Sequence, residues 1–448
     1  MKAKINQRID ELEEDIIKSI QDCVKIPSVT TQATEEYPFG KEIDNALKHT
    51  LKMCESMGFK TTYKDGHYGY AEIGEGEELI GIVGHLDVVP EGEIENWTYP
   101  PYEAIIEGGK LYGRGTQDDK GPTIACIHGI KALIDLGVEF NKRVRFIFGT
   151  DEENLWRDID KYKENGEEIP DYGFTPDSTF PMIYAEKCIL QAYLTCNNVS
   201  NIKLSCGGAL NLVPDKAEYS GKNREKLTSE LEKLGFEYTC EDNKVSVIGN
   251  SVHSAISDTG INAISRLCIA LNNICEKSNT IKFVANVIGE DANANKILEN
   301  CIDDVSGKLT FNVANLELND KIEKLGVDIR IPVTYKKEDI VTNLKKISST
   351  YNLEYNERHC LDPIYISEDN FLVKILRKVY EEETGLDSTP ISSGGGTYAR
   401  AFDNFIAFGS VFPGKPETEH QTNEFIEIND IIKAAKIYSL AVYELLQY

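Results

Sequence analysis

Hydrophobic and polar positions follow two patterns in the first third of the chain. The apolar runs ELIGIVGHLDVV (78–89) and VRFIFGT (144–150) are typical of buried strands. Between them, PTIACIHGIKALIDL (122–136) carries apolar residues at helical spacing. Strands that alternate with helices in this way predict an α/β domain.

The pattern changes near Cys188. Lys- and Glu-rich amphipathic helices then mix with short strand candidates such as LTFNVANLEL (309–318), and the earlier pattern resumes near residue 366 with a helix at 370–385. A chain of 448 residues is also too long for one ordinary core. We therefore predict an α/β domain that is interrupted by a middle domain. The predicted divisions are residues 1–187, 188–365 and 366–448.

Residues 1–20, which we call the first segment, predict one amphipathic helix and not a secretory signal. Its apolar positions recur at helical spacing among charged residues, at Ile9, Leu12, Ile16 and Ile20. No apolar run in the sequence approaches the length of a membrane span. We expect a cytoplasmic protein.

Charge and cysteine content narrow the possible partners. The 74 acidic and 48 basic residues give a formal charge of −26, which disfavours nucleic acid and anionic membranes and favours metal cations or free amines. Eleven cysteines without a CxxC pair favour buried thiols over disulfides or a thiolate zinc site.

A histidine ends the first apolar strand. His85 stands in GHLDVVP, and Asp87 would point to the same side of an extended chain. This spacing fits a metal-binding imidazole whose second nitrogen is held by a carboxylate. On this motif alone, a histidine that merely ends the strand is equally acceptable.

Two groups of adjacent acids follow. Asp118 and Asp119 stand in GRGTQDDKG just before the predicted helix, where acids are commonly solvated N-cap residues. Asp151, Glu152 and Glu153 close the second strand in GTDEEN. Adjacent residues project differently, so one glutamate can bind a metal while the other faces a water bound to it. We interpret Asp151 only as the end of the strand.

Two later residues complete a candidate ligand set. Asp177 in GFTPDSTFP could equally make an Asx turn, and His420 in PETEHQTNE follows the strand candidate FIAFGSVF. Together, two imidazoles and three carboxylates form an N/O set suited to a pair of divalent metals, zinc first. The set consists of His85, Asp118, Glu153, Asp177 and His420.

These motifs, in this order, resemble the aminoacylase and carboxypeptidase family of two-zinc metallopeptidases over nearly the whole chain. The stretches GTDEENLWRDIDKY, GFTPDSTFP and GGGTYAR are similar to its bacterial PepV-type dipeptidase branch. The resemblance implies a mixed-sheet α/β catalytic domain with an inserted α+β, ferredoxin-like lid domain. It also implies two zinc ions, with manganese or cobalt as alternatives.

The resemblance assigns each ligand to a metal. Asp118 would bridge both metals, His85 and Asp177 would complete one site, and Glu153 and His420 the other. No ligand position departs from the family pattern.

Three further acids of these motifs match family positions. Glu152 matches the general base, and Asp87 matches the residue that orients His85. Asp119 matches an acid that a cis peptide bond links to Asp118.

The middle domain and a glycine-rich loop supply further candidates. His253 in GNSVHSA matches a lid histidine that stabilises the oxyanion, although a lone histidine is by default structural. Arg330 and Asn211 resemble lid residues that hold the substrate, Arg330 by its terminal carboxylate. Without the resemblance, Arg330 would be interpreted as a residue on the solvated face of a strand.

The loop GGGTYAR (394–400) could be a turn or a weak phosphate cradle. We interpret it as a wall that faces the substrate. In that interpretation Gly395 and Gly396 let the backbone approach, and Arg400 is a further candidate contact.

The implied reaction is hydrolysis of small dipeptides, with Xaa-His, β-alanyl and D-residue dipeptides as candidates. A hydroxide held by two zinc ions would attack the carbonyl, with Glu152 as general base. One alternative is a related amidase of N-acyl or N-succinyl amino acids, and a more remote one is a non-catalytic descendant that binds metal or peptide. The long segment 188–365 suggests that the protein need not dimerise, so we expect a monomer.

Overall fold

The chain forms two compact units. This computed structural model describes residues 1–197, 202–241, 243–274 and 277–448. Unit 1 comprises Met1–Tyr184, Ile366–Ile391 and Thr397–Tyr448, and unit 2 comprises Ala185–Tyr365 and Ser392–Gly396. The predicted domain boundaries stay a prediction.

A mixed sheet lies at the centre of unit 1. Its strand Leu79–His85 pairs in parallel with Arg143–Gly149 on one side and with Tyr172–Thr175 on the other. All seven residues of Leu79–His85 are buried, as expected for a parallel strand covered on both faces. The order across the sheet is Lys60–Lys64, Tyr68–Ile73, Arg143–Gly149, Leu79–His85, Tyr172–Thr175, Phe405–Ala407 and Ile183–Glu186, where the chain passes into unit 2.

Helices cover this sheet. The helix Lys120–Asp135 is buried along most of its length, and Ser439 of the closing helix Ile428–Gln447 donates a hydrogen bond to Gly129 O at 2.7 Å. The other helices of unit 1 are Lys2–Glu11, Glu13–Val24, Lys41–Ser56, Ile94–Asn96, Arg157–Glu164, Phe371–Thr384 and Tyr398–Ala401. A small antiparallel sheet is formed by Ile105–Glu107, Lys110–Tyr112 and Phe425–Glu427.

The first segment differs from its prediction. It forms two helices, because the backbone at Leu12 (φ −93°, ψ 0°) interrupts the helical geometry. The apolar face is nevertheless continuous, since Ile9, Leu12, Ile16 and Ile20 are all buried in the core of unit 1. Periodicity predicted the buried face but not the break.

Unit 2 has its own sheet and its own hydrophobic core. Its five-stranded antiparallel sheet has the order Leu204–Gly207, Thr310–Leu318, Glu323–Ile331, Cys188–Cys196 and Glu354–Leu361. The remaining strands are Lys216–Tyr219, Tyr238–Glu241, Lys244–Ile248, Ile302–Asp303, Gly307–Lys308 and Ile364–Tyr365, and Ile391–Ser393 crosses between the units along the chain. Its helices are Arg224–Leu234, Ser254–Thr259, Ala263–Asn273, Asn279–Phe283, Val284–Ile288, Asn295–Leu298 and Lys337–Ser349.

The predicted fold class, a mixed-sheet α/β part with an α+β second part, is confirmed. Among the described residues, every helix is too short or too polar to cross a bilayer. Ten of the cysteines are present as thiols, most of them buried, and Cys275 lies outside the described residues.

Candidate metal centre

The parallel strands bring the sequence motifs to one edge of the sheet. His85 is the last residue of its strand, and its register partner is the last residue of the strand that leads to Glu152 and Glu153. Asp177 lies two residues beyond the end of the third parallel strand. The carboxyl ends of parallel strands are where α/β sheets bind ligands.

The start of helix Lys120–Asp135 adds the two aspartates. Asp119 Oδ2 accepts hydrogen bonds from His85 N at 3.1 Å and from Thr123 Oγ1 at 2.8 Å. This approach requires a glycine at position 84, since a Cβ there would lie 2.0 Å from Thr123 Oγ1. The peptide bond between Asp118 and Asp119 is cis, as the resemblance implied.

All five predicted ligands lie together in unit 1. They form two groups, each able to hold a metal ion: His85, Asp118 and Asp177, and Asp118, Glu153 and His420. In the first group His85 Nε2 lies 2.8 Å from Asp118 Oδ1 and 3.7 Å from Asp177 Oδ2. In the second group His420 Nε2 lies 2.9 Å from Asp118 Oδ2 and 3.0 Å from Glu153 Oε2.

Charge and burial oppose each other at the two imidazoles. Burial lowers the pKa of His85, but hydrogen bonds with Asp118 and Asp87 outweigh it, so this pKa lies well above its ordinary value. Burial also opposes protonation of His420, yet its bonds to Asp118 and Glu153 raise its pKa to about 11. The same bonds from both histidines outweigh burial and lower the pKa of Asp118.

The other carboxylates show the opposite effect. Burial raises the pKa of Glu152 and of Asp177 well above the usual carboxyl range, and it raises that of Glu153. Several acids held this close resist ionisation unless positive charge is placed among them.

The residues present fit a dinuclear metal centre. Each oxygen of the Asp118 carboxylate faces a different histidine, which is the arrangement of a bridging ligand. The donors are imidazole nitrogens and carboxylate oxygens, a set suited to divalent ions such as zinc. Positive charge from such ions would also offset the repulsion among the acids.

Asp87 contacts both the first histidine and the backbone of the glutamate pair. His85 Nδ1 lies 2.9 Å from the main-chain oxygen of Asp87 and 3.5 Å from its carboxylate Oδ1. The carboxylate instead accepts hydrogen bonds from the backbone N–H groups of Glu152 at 3.2 Å and Glu153 at 3.1 Å. One buried residue thus fixes both the first histidine and the glutamate pair.

The turn that carries the glutamates (residues 150–156) is held by groups that the sequence did not reveal. Asp151 is buried, and Arg157 Nε and Nη2 donate to its carboxylate at 2.7 and 2.6 Å, so its interpretation as a mere strand end is incomplete. Asp158 Oδ2 accepts from Thr150 N at 2.6 Å. Trp156 Nε1 donates to Glu152 O at 2.9 Å. An acid within a helical pattern gives no sequence signal for such a contact.

The predicted lid residues lie in unit 2, close to one another. Ser254 links them, because its N–H donates to Asn211 O at 2.8 Å and its Oγ accepts from Arg330 Nη2 at 2.9 Å. It directly follows His253, whose Nδ1 accepts from the N–H of Ala255 at 3.3 Å.

Arg330 is 3 % exposed, so the alternative interpretation, that it lies on a solvated face of its strand, is wrong. It also bonds Asp328 Oδ1 at 2.7 Å and Gly394 O at 2.8 Å. Gly395 and Gly396 belong to unit 2 as well, and Arg400 lies on the short helix Tyr398–Ala401 of unit 1.

Comparison with known proteins gives the class. The model of the peptidase family M20/M25/M40 matches residues 81–444, and the chain belongs to this family. The predicted family and the predicted enzyme class, a metallopeptidase, are confirmed.

Individual relatives cover nearly the full chain. The sequence is 38% identical over 456 residues to "Putative dipeptidase YtjP" of Bacillus subtilis (strain 168), which covers 96% of this chain and 97% of the relative. Among solved structures, the dipeptidase Dug1p of Saccharomyces cerevisiae has a TM-score of 0.64 at 14% identity and covers 100% of this chain and 99% of its own. Bacillus subtilis YXEP, described as a dinuclear metal binding peptidase, has a TM-score of 0.54 at 11% identity, and the match covers 98% of this chain and 99% of YXEP.

Proposed function

We propose that the protein is a dipeptidase that uses two divalent metal ions, zinc first, to hydrolyse small dipeptides. The observation that carries this proposal is the Asp118 carboxylate, whose two oxygens lie 2.8 and 2.9 Å from two different histidines. The dipeptidase names of the relatives support the substrate class. The dinuclear site of YXEP supports the metal count.

Each metal would have a defined set of ligands. His85 and Asp177 would hold one ion, Glu153 and His420 would hold the other, and Asp118 would be shared. Bound there, the ions would polarise the scissile carbonyl and acidify the attacking water.

Glu152 is proposed as the general base. It stands next to the ligand Glu153 but belongs to neither ligand group. Its raised pKa, caused first by burial, suits a carboxylate that takes a proton from water and returns it to the leaving amine. Asp87 accepts a hydrogen bond from the backbone N–H of Glu152 and so holds the backbone from which this carboxylate extends.

Two unit 2 residues are proposed to act on the substrate. Because His253 Nδ1 accepts from Ala255 N, a neutral ring carries its proton on Nε2, where it can donate to a developing oxyanion. Arg330 is proposed to bind the terminal carboxylate, and Asp328 and Ser254 already orient its guanidinium.

Substrate choice tests the function. With protein reconstituted separately with zinc, manganese or cobalt, we expect kcat/KM for dipeptides such as β-Ala-His and Ala-His to exceed that for N-acetyl or N-succinyl amino acids by roughly 100-fold. Tripeptides are expected to be poor substrates, because both charged ends of a dipeptide would be bound.

The same panel separates the alternatives. Faster hydrolysis of N-acyl amino acids would make the protein an amidase, and no hydrolysis with any metal would leave metal or peptide binding. A Glu152→Gln preparation purified in parallel controls for a contaminating peptidase.

We also propose that the protein acts as a monomer in the cytoplasm. Ten cysteines present as thiols fit a reducing compartment. Light scattering of the metal-loaded protein should give a mass near the chain mass of 50.2 kDa. A mass near twice this value, independent of protein concentration, would contradict the monomer.

A further inference from the structure

A buried carboxylate lies between the two loops that carry Asp118 and His420. We call residues 113–119 the Asp118 loop and residues 416–424 the His420 loop. Glu424, the last residue of the second loop, is 0 % exposed and has no role in the sequence-based assignment. A buried carboxylate is costly unless it is fully paired, so its partners indicate why it is there.

Strand pairing brings Glu424 to the Asp118 loop. The strand Phe425–Glu427 pairs antiparallel with Lys110–Tyr112, and the ladder continues by one bond, from Gly113 N to Glu424 O at 3.0 Å. This register sets the Glu424 side chain against the backbone that follows Tyr112. The start of the Asp118 loop and the end of the His420 loop are thus held beside each other.

Four donors meet on the Glu424 carboxylate. Oε1 accepts from the backbone N–H groups of Gly115 at 3.0 Å, Gln117 at 2.9 Å and Asp118 at 3.2 Å. Oε2 accepts from Arg114 Nη1 at 2.7 Å. Arg114 is itself buried, and its guanidinium lies 5.3 Å from the centre of the Trp97 ring. The Asp118 loop therefore wraps the Glu424 carboxylate with its donors, and the backbone N–H of Asp118 is one of them.

Gln117 adds a second link between the same loops. Its Oε1 accepts from the N–H groups of Thr418 and Glu419, the latter at 3.1 Å. Its Nε2 donates to Pro416 O at 3.2 Å. These bonds hold the backbone just before His420, which has a left-handed φ of 61°.

We propose that Glu424, assisted by Gln117, is a positioning residue that sets the Asp118 carboxylate between His85 and His420. The inference rests on the proposed metal centre. Asp118 and His420 come from distant parts of the chain, yet their side chains must stay close enough for both to bind one ion, and His420 Nε2 lies 2.9 Å from Asp118 Oδ2. Glu424 acts on both, since it ends the His420 loop and binds the backbone of the Asp118 loop. Its expected effect is on the affinity of the centre for metal.

The Glu424→Gln variant tests this role, because it keeps the shape of the side chain and removes its charge. We expect zinc or manganese binding, measured by calorimetric titration of metal-stripped protein, to weaken by about 10- to 100-fold. The rise in melting temperature on adding metal should shrink accordingly. A visible absorption spectrum of the cobalt-loaded variant should differ from that of the parent.

Glu427→Gln is the matched control, with the same charge change three residues further on, at a half-buried side chain that pairs with Lys415 at 2.6 Å. It should keep the parent's metal affinity. A merely structural Glu424 would lower the melting temperature of metal-free protein but leave metal affinity and the cobalt spectrum unchanged, and that result would overturn the proposal.

Failure of the parent protein to bind metal and failure of the Glu424 variant to fold have separate meanings. A parent protein that binds no metal would overturn the proposed metal centre itself. If Glu424→Gln does not fold, Gln117→Met provides the test, because it removes the second link between the same loops. Unchanged metal affinity in that variant would then overturn the positioning role.

Discussion

A Glu152→Gln variant is expected to lose dipeptide hydrolysis by about 1,000-fold in kcat. Glutamine keeps the size of the side chain but accepts no proton from water near neutral pH. The metal centre should remain, because Glu152 belongs to neither ligand group and is tied to the fold through its backbone. The measurement is steady-state kcat with the best dipeptide, together with metal content per chain.

The surface variant Glu164→Gln is the matched control, since it makes the same change on the neighbouring helix at a side chain that is 67% exposed. Its activity should equal that of the parent. His253→Ala, which leaves no side-chain donor, should lower kcat by about 100-fold with full metal content, as expected for loss of an oxyanion donor. Glu152→Gln with a tenth or more of parental activity would rule out this residue as the base.

Metal removal is expected to have the second large effect. Stripping with a chelator should abolish hydrolysis, because bound ions would polarise the scissile carbonyl and acidify the attacking water. It should also lower the free energy of unfolding by about 4 kcal/mol for each site whose free metal concentration had been 1,000 times the Kd.

The affinity of the protein for metal should fall as pH falls, since protons compete with metal for His85 and His420.

Activity and melting temperature are measured before stripping, after stripping, and after adding back zinc, manganese or cobalt singly. Protein dialysed without chelator is the control. Full activity in protein with less than about a tenth of an ion per chain would contradict the metallopeptidase mechanism, and the ion that restores most activity identifies the preferred metal.

Most of the proposed ligands adjoin a local sequence pattern, and this is why they could be proposed from the sequence. His85 ends an apolar run, Glu153 follows another, and Asp118 precedes a helix, so the topology of parallel strands was enough to bring these motifs together. His420 lies far beyond its preceding strand, which ends at Ala407. Its position after a strand candidate was therefore a weak signal, and its place in a family motif strengthened the prediction.

Long-range hydrogen bonds account for what the sequence did not predict. The partners of Glu424 lie about 300 residues earlier in the chain. Asp87 was predicted to orient a histidine, but its bonds to Glu152 and Glu153 depend on the register of two strands. Such contacts are properties of the folded backbone and leave no periodic signal.

The indole of Trp156 has a spectroscopic consequence. The chain has two tryptophans, and both lie beside segments of the metal centre: Trp156 bonds the main chain of Glu152, and Trp97 lies next to Arg114 of the Asp118 loop. Intrinsic tryptophan fluorescence would therefore report on segments that flank the candidate metal centre. In a Trp97→Phe protein, the tryptophan emission that remains when tyrosine is not excited would come from Trp156 alone, so changes in the glutamate turn could be followed in real time without a label.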